Sequence, residues 1–344
     1  MKFIGHAVGM LFISVCLVAM TAWGALALYY SNLPGDSLRK AGALVFILFG
    51  GASILWYFFS THRIRPLLVF LAAFLLLVAW WSTIPPKQNR DWAPEYARLP
   101  RATINGDLVT IHNIRNFDYR TETDFTPRYY DKTFDLRQLD SVDVIASYWM
   151  GDAIAHIFLS FGFAGKDFLA ISIETRRQQH QSYSTVAGFF KQYELFYVLA
   201  DERDLIGVRT NYRKDPPEDV YLYRTRATAA NARLLFLDYI RSINSLAEKP
   251  EFYNALTTNC TTSILTHTRV NQGGLPLSWK VLLSGYVPQY LYERNAIDTS
   301  LPFDELKHRS LINAAAQEAG AAPDFSQRIR MGLPTPIERQ SGKR

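Results

Sequence analysis

The sequence predicts an α+β protein in which an N-terminal segment of three transmembrane helices is followed by a soluble domain with a mainly antiparallel sheet. Three observations point there. Charge is almost absent from the first quarter of the chain. After Pro85-Pro86 the pattern changes from apolar runs to alternating and amphipathic stretches. Beyond that boundary, β-branched and aromatic runs follow one another, with helical periodicity set among and after them, as in an α+β domain.

The membrane segment, residues 1–86, contains apolar stretches at about 7–28, 41–59 and 66–83. The first runs for 22 residues without a charge, enough to cross a bilayer, and the other two are of similar character. Aromatic residues gather near the ends (Trp23, Tyr29, Tyr30, Trp56, Tyr57, Trp80, Trp81), where rings settle at headgroup level. A turn at Pro34-Gly35 and the basic stretch 61–65 connect the spans. The rival reading, a cleaved signal peptide ending near Ala25-Leu26-Ala27, is disfavoured because the run is long for such a segment and two further spans follow. Lysines and arginines set the orientation only weakly: an inside N-terminus leaves Arg39, Lys40, Lys87 and Arg90 outside.

Only five basic and one acidic residue precede position 87, so the rest of the chain carries +2 of the net +6. The basic balance therefore belongs mostly to membrane flanks and is no nucleic-acid footprint. The composition also excludes disorder, collagen-like repeats and a disulfide-rich mini-domain.

Residues 87–313 read as one domain. Strands are expected at 108–117, 133–139, 142–149, 155–163, 168–174, 195–199 and 220–225. Helices are expected at 185–192, 202–213, 227–246 and 260–270. Residues 314–344, rich in Ala, Gly and Pro, are expected to be a loosely packed tail, although 325–334 could dock back.

The chemistry centres on Cys260. In Thr257-Thr258-Asn259-Cys260-Thr261-Thr262 an apolar run follows, so Asn259 is an N-cap candidate and Cys260 falls in the first helical turn. A helix N-terminus stabilises a thiolate and offers N–H donors to an oxyanion. The bland alternative is a small buried hydrophobe. The only other cysteine, Cys16, lies in the first apolar run, so the two are not expected to pair. A thiolate needs a base. His156 is the best placed of seven histidines, a polar ring in the strand-like run Ala155-His156-Ile157-Phe158-Leu159-Ser160-Phe161, though a satisfied core histidine is an equal reading. Glu174, at the end of the next strand, could orient His156, or could pair with Arg176 or Arg177 at the surface. There is no HExxH, CxxC, Walker or dinucleotide glycine pattern, so neither a metal nor any other cofactor is expected.

The order of these motifs resembles the Lnb N-terminal periplasmic domain family. The resemblance rests on Ala155-His156-Ile157-Phe158-Leu159-Ser160-Phe161, Ser172-Ile173-Glu174-Thr175-Arg176 and Tyr253-Asn254-Ala255-Leu256-Thr257-Thr258-Asn259-Cys260-Thr261-Thr262, across about residues 90–290. The histidine-before-cysteine order is also similar to that of permuted papain-like folds, such as lecithin retinol acyltransferase-like proteins and permuted relatives of NlpC-type peptidases. The resemblance implies an extracytoplasmic catalytic domain anchored in the bacterial inner (cytoplasmic) membrane, with an inside N-terminus. It implies Cys260, His156 and Glu174 as catalytic residues. Arg176, Tyr253 and Asn259, inside the same motifs, are the expected substrate-binding residues. The expected activity is a thiol acyltransferase or acyl hydrolase acting on membrane lipids or lipoproteins. The alternatives are a cysteine peptidase or amidase acting on cell-wall peptides, and a non-catalytic membrane scaffold.

Overall fold

The computed structural model describes residues 2–336, with side chains from residue 8 onward. The described residues divide into two compact units, those within Met1–Lys87 together with Tyr183–Tyr193, and those within Gln88–Ser182 together with Glu194–Arg344.

The first unit holds helices α1 (Lys2–Tyr29), α2 (Asp36–Phe59) and α3 (Ile64–Ser82). Three stretches within them, Val8–Tyr29, Asp36–Phe59 and Ile64–Ser82, are long and apolar enough to cross a membrane. Gly35 makes the first turn possible, since its φ of 81° lies in the left-handed region that side chains avoid. Small residues bring α1 and α2 together: a Cβ on Gly24 would run into the Phe46 ring, and one on Gly50 into Thr21. Phe70 of α3 stacks on Phe49 at 5.8 Å and is closed off from the surroundings. Leu11, Phe12, Leu48 and Leu76 point outward, the arrangement of helices whose solvent is hydrocarbon.

The segment 183–193 belongs to this unit. It was expected as a helix over 185–192, but only a 3₁₀ turn at Ala187–Phe189 forms. Lys191 takes up a left-handed conformation (φ 55°), which breaks helical continuation. The Phe190 ring instead stacks on Tyr30 at 5.7 Å, and the Lys191 ammonium donates to the carbonyls of Trp81 and Ile84 at the end of α3. Tertiary contacts outweigh local propensity here.

The second unit is built on ten strands: β1 (Arg101–Asn105), β2 (Leu108–Arg115), β3 (Asp118–Tyr119), β4 (Phe125–Thr126), β5 (Tyr129–Asp135), β6 (Leu139–Tyr148), β7 (Ala155–Phe163), β8 (Asp167–Arg176), β9 (Glu194–Ala200) and β10 (Asp219–Arg224). Eight of them form one sheet in the order β1-β2-β9-β8-β7-β6-β10, with β5 paired to β2, while β3 and β4 form a small hairpin. Pairing is antiparallel apart from one parallel contact, Arg115 with Ala200. The helices are α4 (Glu202–Leu205), α5 (Ala229–Glu248), α6 (Cys260–Thr268), α7 (Trp279–Leu282), α8 (Val287–Glu293), α9 (Phe303–Arg309), α10 (Asn313–Ala319) and α11 (Phe325–Arg328).

Both faces of the central strands are covered. On one face Phe161 of β7 meets Phe236 and Tyr239 of α5, at 5.1 and 5.9 Å. On the other, Phe158, Ala170 and Phe196 share a core with Ala316 of α10, Phe325 of α11 and Ile329. Double coverage explains why β6, β7 and β8 read as nearly continuous apolar runs.

The loosely packed tail expected from residue 314 is therefore corrected as far as Leu333, in keeping with the alternative that 325–334 docks back, and residues 337–344 of that tail lie outside the described residues. Its apolar residues complete the sheet's second face, and Arg330 enters the core with them. The Arg330 guanidinium lies 2.8 Å from Asp143 and 2.6 Å from Glu202, two buried carboxylates. The helix expected over 202–213 also changes, to the single turn α4 followed by a π-helical turn at Val208–Tyr212. Its charged residues are drawn to different partners: Glu202 to Arg330, Arg203 to Asn116, and Asp204 to Arg115 at 2.7 Å.

Arg330→Ala strips Asp143 and Glu202 of this partner, and breaking such a buried pair costs about 3–5 kcal/mol. Chemical denaturation of the full-length protein in detergent should show a loss of that order, whereas a tail that merely trailed would give an unchanged midpoint.

Candidate active site

The site forms where the sheet opens. Strands β7 and β8 are paired from Phe163 with Asp167 up to Leu159 with Ile171, and the ladder stops there. Beyond it β7 stays with β6, His156 opposite Ser147, and β8 stays with β9, Glu174 opposite Phe196. Continuing the β7–β8 offset by three residues would set His156 across from Glu174, so the parted strands still present them to each other.

Cys260 opens α6. Asn259 caps this helix: its Oδ1 accepts from the Thr262 N–H at 2.9 Å, and the Thr262 hydroxyl side chain closes the reciprocal bond with the Asn259 N–H. Ser, Thr, Asn and Asp are favoured here because their side chains satisfy N–H groups that the first turn leaves unpaired. The cap holds the thiol at the positive end of the helix. The thiol and the His156 imidazole hydrogen-bond each other, and the backbone N–H of Ile157 donates to the sulfur.

Behind the imidazole runs a short relay. His156 Nε2–H donates to Ser172 Oγ at 2.6 Å, and the Ser172 hydroxyl donates to Glu174 Oε1 at 2.7 Å. The same carboxylate oxygen lies 3.0 Å from Nε2. These contacts engage Nε2, so Nδ1 is the ring nitrogen that the relay does not use. Arg209 Nη2 donates to Glu174 Oε1 from the far side at 3.1 Å, and its guanidinium stands over the Phe158 ring. Arg209 in turn faces Glu218, which is held by Arg213 at 2.5 Å and accepts from the Ser147 hydroxyl. Alternating charges thus extend from the imidazole into the protein.

This arrangement sets the proton affinities. Burial disfavours charge on His156, but Glu174 and the thiol outweigh it and raise the imidazole from 6.5 to about 9. Burial likewise opposes the Glu174 charge, yet His156 and Arg209 hold the carboxyl well below the usual range. For Cys260, burial pushes the thiol up, while the bond to His156, its charge and the Ile157 N–H bring it below its ordinary value. Both shifts run in the direction of a thiolate beside an imidazolium.

Cys260, His156 and Glu174 therefore meet, and the alternative pairing of Glu174 with Arg176 or Arg177 does not occur. Arg177 instead donates to the Tyr96 hydroxyl at 2.8 Å. The three residues expected to bind substrate are engaged within the protein. Arg176 is buried, donating to the Tyr96 carbonyl at 3.1 Å and to Gln88 at 2.8 Å, with Trp92 stacked 4.2 Å away, so it clamps the start of the domain. The Asn259 side chain is engaged in the cap and with the Ala255 carbonyl. Tyr253 is only 8% exposed. Arg176 and Tyr253 are thus buried, whereas Asn259 is half-buried.

Three participants were not singled out from the sequence: Ser172, Arg209 and Ser147. Each carried a signal, a lone polar residue between buried apolar neighbours, as in Ile171-Ser172-Ile173 and Leu205-Ile206-Gly207-Val208-Arg209. His267, two turns along α6, is bonded to Asp238 and Tyr197, both at 2.7 Å, and takes no part. Among the described residues no group of three or more His, Cys, Asp or Glu could hold a metal ion.

The family model of the Lnb N-terminal periplasmic domain matches residues 125–285, a span that contains the whole Cys260, His156 and Glu174 constellation. With three helices of membrane-crossing length before it, the chain is a membrane-anchored protein with a periplasmic domain. No curated protein and no solved structure matches the chain.

Two outcomes follow from the geometry. Asn259→Ala should cost about 1 kcal/mol in denaturation and slow iodoacetamide alkylation of Cys260, because the cap both stabilises α6 and places the thiol. Since the folded-state value of His156 is raised, its charge stabilises the fold fully below pH 6.5, and the contribution declines until pH passes about 9. The melting gap between the native chain and His156→Gln should narrow over that window; a gap that widens toward alkaline pH would contradict the ion pair.

Proposed function

We propose that the protein is a membrane-anchored thiol acyltransferase or acyl hydrolase that acts on lipid or lipoprotein esters from the extracytoplasmic side of the bacterial inner membrane. The observation that carries this reading is the thiol at a capped helix N-terminus, bonded to an imidazole that is itself held by a half-buried carboxylate.

In this reading the Cys260 thiolate attacks the ester carbonyl and a carbon–sulfur bond forms. The Ile157 N–H and the first turn of α6 are the donors near the developing oxyanion. The intermediate collapses with cleavage of the carbon–oxygen bond, and His156 delivers its proton to the departing alkoxide. His156, now neutral, takes a proton from an incoming amine or water as that nucleophile attacks the thioester, and the thiolate departs. Glu174 stays ionised throughout and steadies the imidazolium. The anchor supports a bilayer-borne substrate, because a site tethered to the membrane meets such esters at high effective concentration.

The test is intact-mass and peptide mass spectrometry of the full-length protein after incubation with membrane lipids and diacylated lipoprotein. An acyl adduct is expected on Cys260 and is absent in Cys260→Ala. Glu174→Gln should keep the fold and lower turnover by about two orders of magnitude or more, in line with loss of an orienting carboxylate in other triads. Full turnover in Cys260→Ala would sink the assignment, and an adduct formed only from cell-wall peptides would move it to a peptidase.

A further inference from the structure

A cavity of about 310 Å³ lies on the face of the sheet that α5 covers, between β6, β7, α5, α6 and α8. Val142, Val144, Ile157, Leu159, Leu235 and Leu265 form much of its wall. Arg226 is the one charged residue that lines it, and its Nε–H donates to the Ile297 carbonyl at 3.1 Å. The hydroxyls of the wall are all turned away. Thr225 donates to the Val142 carbonyl, Thr261 to that of Val281, Thr268 to that of Leu265 and Tyr290 to that of Pro276, at 2.6–2.7 Å. The amides of Asn231, Asn271, Gln272 and Asn295 also line the cavity, with Asn271 Nδ2 donating to the Asn231 carbonyl and Asn295 Oδ1 accepting from the Thr299 hydroxyl, but methyl and methylene groups make up most of the wall. A peptide or sugar would set most of its polar groups against this apolar wall, and burying polar groups unpaired is costly. Alkyl groups lose nothing there and gain from leaving water.

The cavity also sits beside the nucleophile. Ile157, whose side chain lines it, gives its backbone N–H to the Cys260 sulfur, and Thr261, also in the wall, follows Cys260 in α6. His156 and Ile157 point to opposite faces of β7, as neighbours on a strand must. The proton relay thus lies on one face and the apolar space on the other, with the thiol where the strands part. The volume is near the lower end of those that hold small ligands, and at about 30 Å³ per group the size of a water it takes a chain of about ten such units.

Resting on the reading of Cys260 as an acyl-accepting thiol, we infer that this cavity holds the alkyl chain of the acyl group whose carbonyl is attacked at Cys260. The pocket then selects a medium-length acyl chain, or the carbonyl-proximal part of a longer one. The chain enters on forming the enzyme–substrate complex, stays in place while the carbonyl is bonded to sulfur, and leaves with the product.

The test measures binding apart from chemistry. Dansylundecanoic acid is titrated into full-length protein in nanodiscs, native and Cys260→Ala, with empty nanodiscs subtracted. Saturable binding is expected in both. Ala227→Trp, which puts a large ring into the cavity from a half-buried position, should weaken binding at least tenfold, and Ile264→Phe should weaken it in the same direction. Melting curves identify any variant that fails to fold, and the other then decides. Native-like binding by folded Ala227→Trp and Ile264→Phe would overturn the inference. A thioester on Cys260 with undiminished probe binding in the filled variants removes the cavity and keeps the enzyme. Cavity-dependent binding without any thioester keeps the alkyl site and removes the proposed chemistry.

Discussion

The Glu174 carboxylate is the element on which the site depends. One oxygen meets an imidazole, a serine hydroxyl and a guanidinium, each from a different strand position or turn. A carboxylate with so little access to water is stable only when its charge is matched and its lone pairs are occupied. His156 and Arg209 supply the charge and Ser172 the bond, so the imidazole is fixed by the same contacts that make the carboxylate tolerable. Orientation of the imidazole is therefore a by-product of satisfying a half-buried anion, and it needs no separate device.

The same rule governs the rest of the second unit. Asp204 is matched by Arg115, and its other oxygen accepts from the Phe117 N–H at 2.7 Å. Glu202 and Asp143 share Arg330. These pairs join segments far apart along the chain, with the result that residues 201–213 are pinned at several points and Arg209 arrives against Glu174 from a π-helical turn. A regular helix there would send these side chains out at 100° steps and could not serve the same partners. Buried ion pairs are weak evidence for stability, but here they specify register, since any slip leaves unpaired charge in the core.

The opening between β7 and β8 converts this framework into a site. An unbroken ladder would commit the backbone of both strands to each other; parting them frees room for the first turn of α6 and lets a strand N–H meet the sulfur. The helix contributes its end rather than its side. Asn259 caps that end, satisfying N–H groups of the first turn beside Cys260.

What the sequence by itself determined were the features with local or periodic causes: three apolar runs of bilayer length, the change of pattern at Pro85-Pro86, most strands of the sheet, the long amphipathic α5, and the Asn-Cys pair at a helix start. The pairing of His156 with Glu174 was legible as one of two alternatives, because adjacent antiparallel strands place equivalent positions face to face. Tertiary structure alone decided the rest. Arg209 reaches Glu174 across 35 positions of chain, Arg330 reaches Asp143 across 187, and the segment 183–193 takes its shape from aromatic rings of α1 and carbonyls of α3. Such contacts leave only a lone charge or hydroxyl in an apolar run as their trace. Periodicity reports which face of an element is buried, whereas the partner of a buried charge is set by which distant segment packs there, and that is a property of the whole fold.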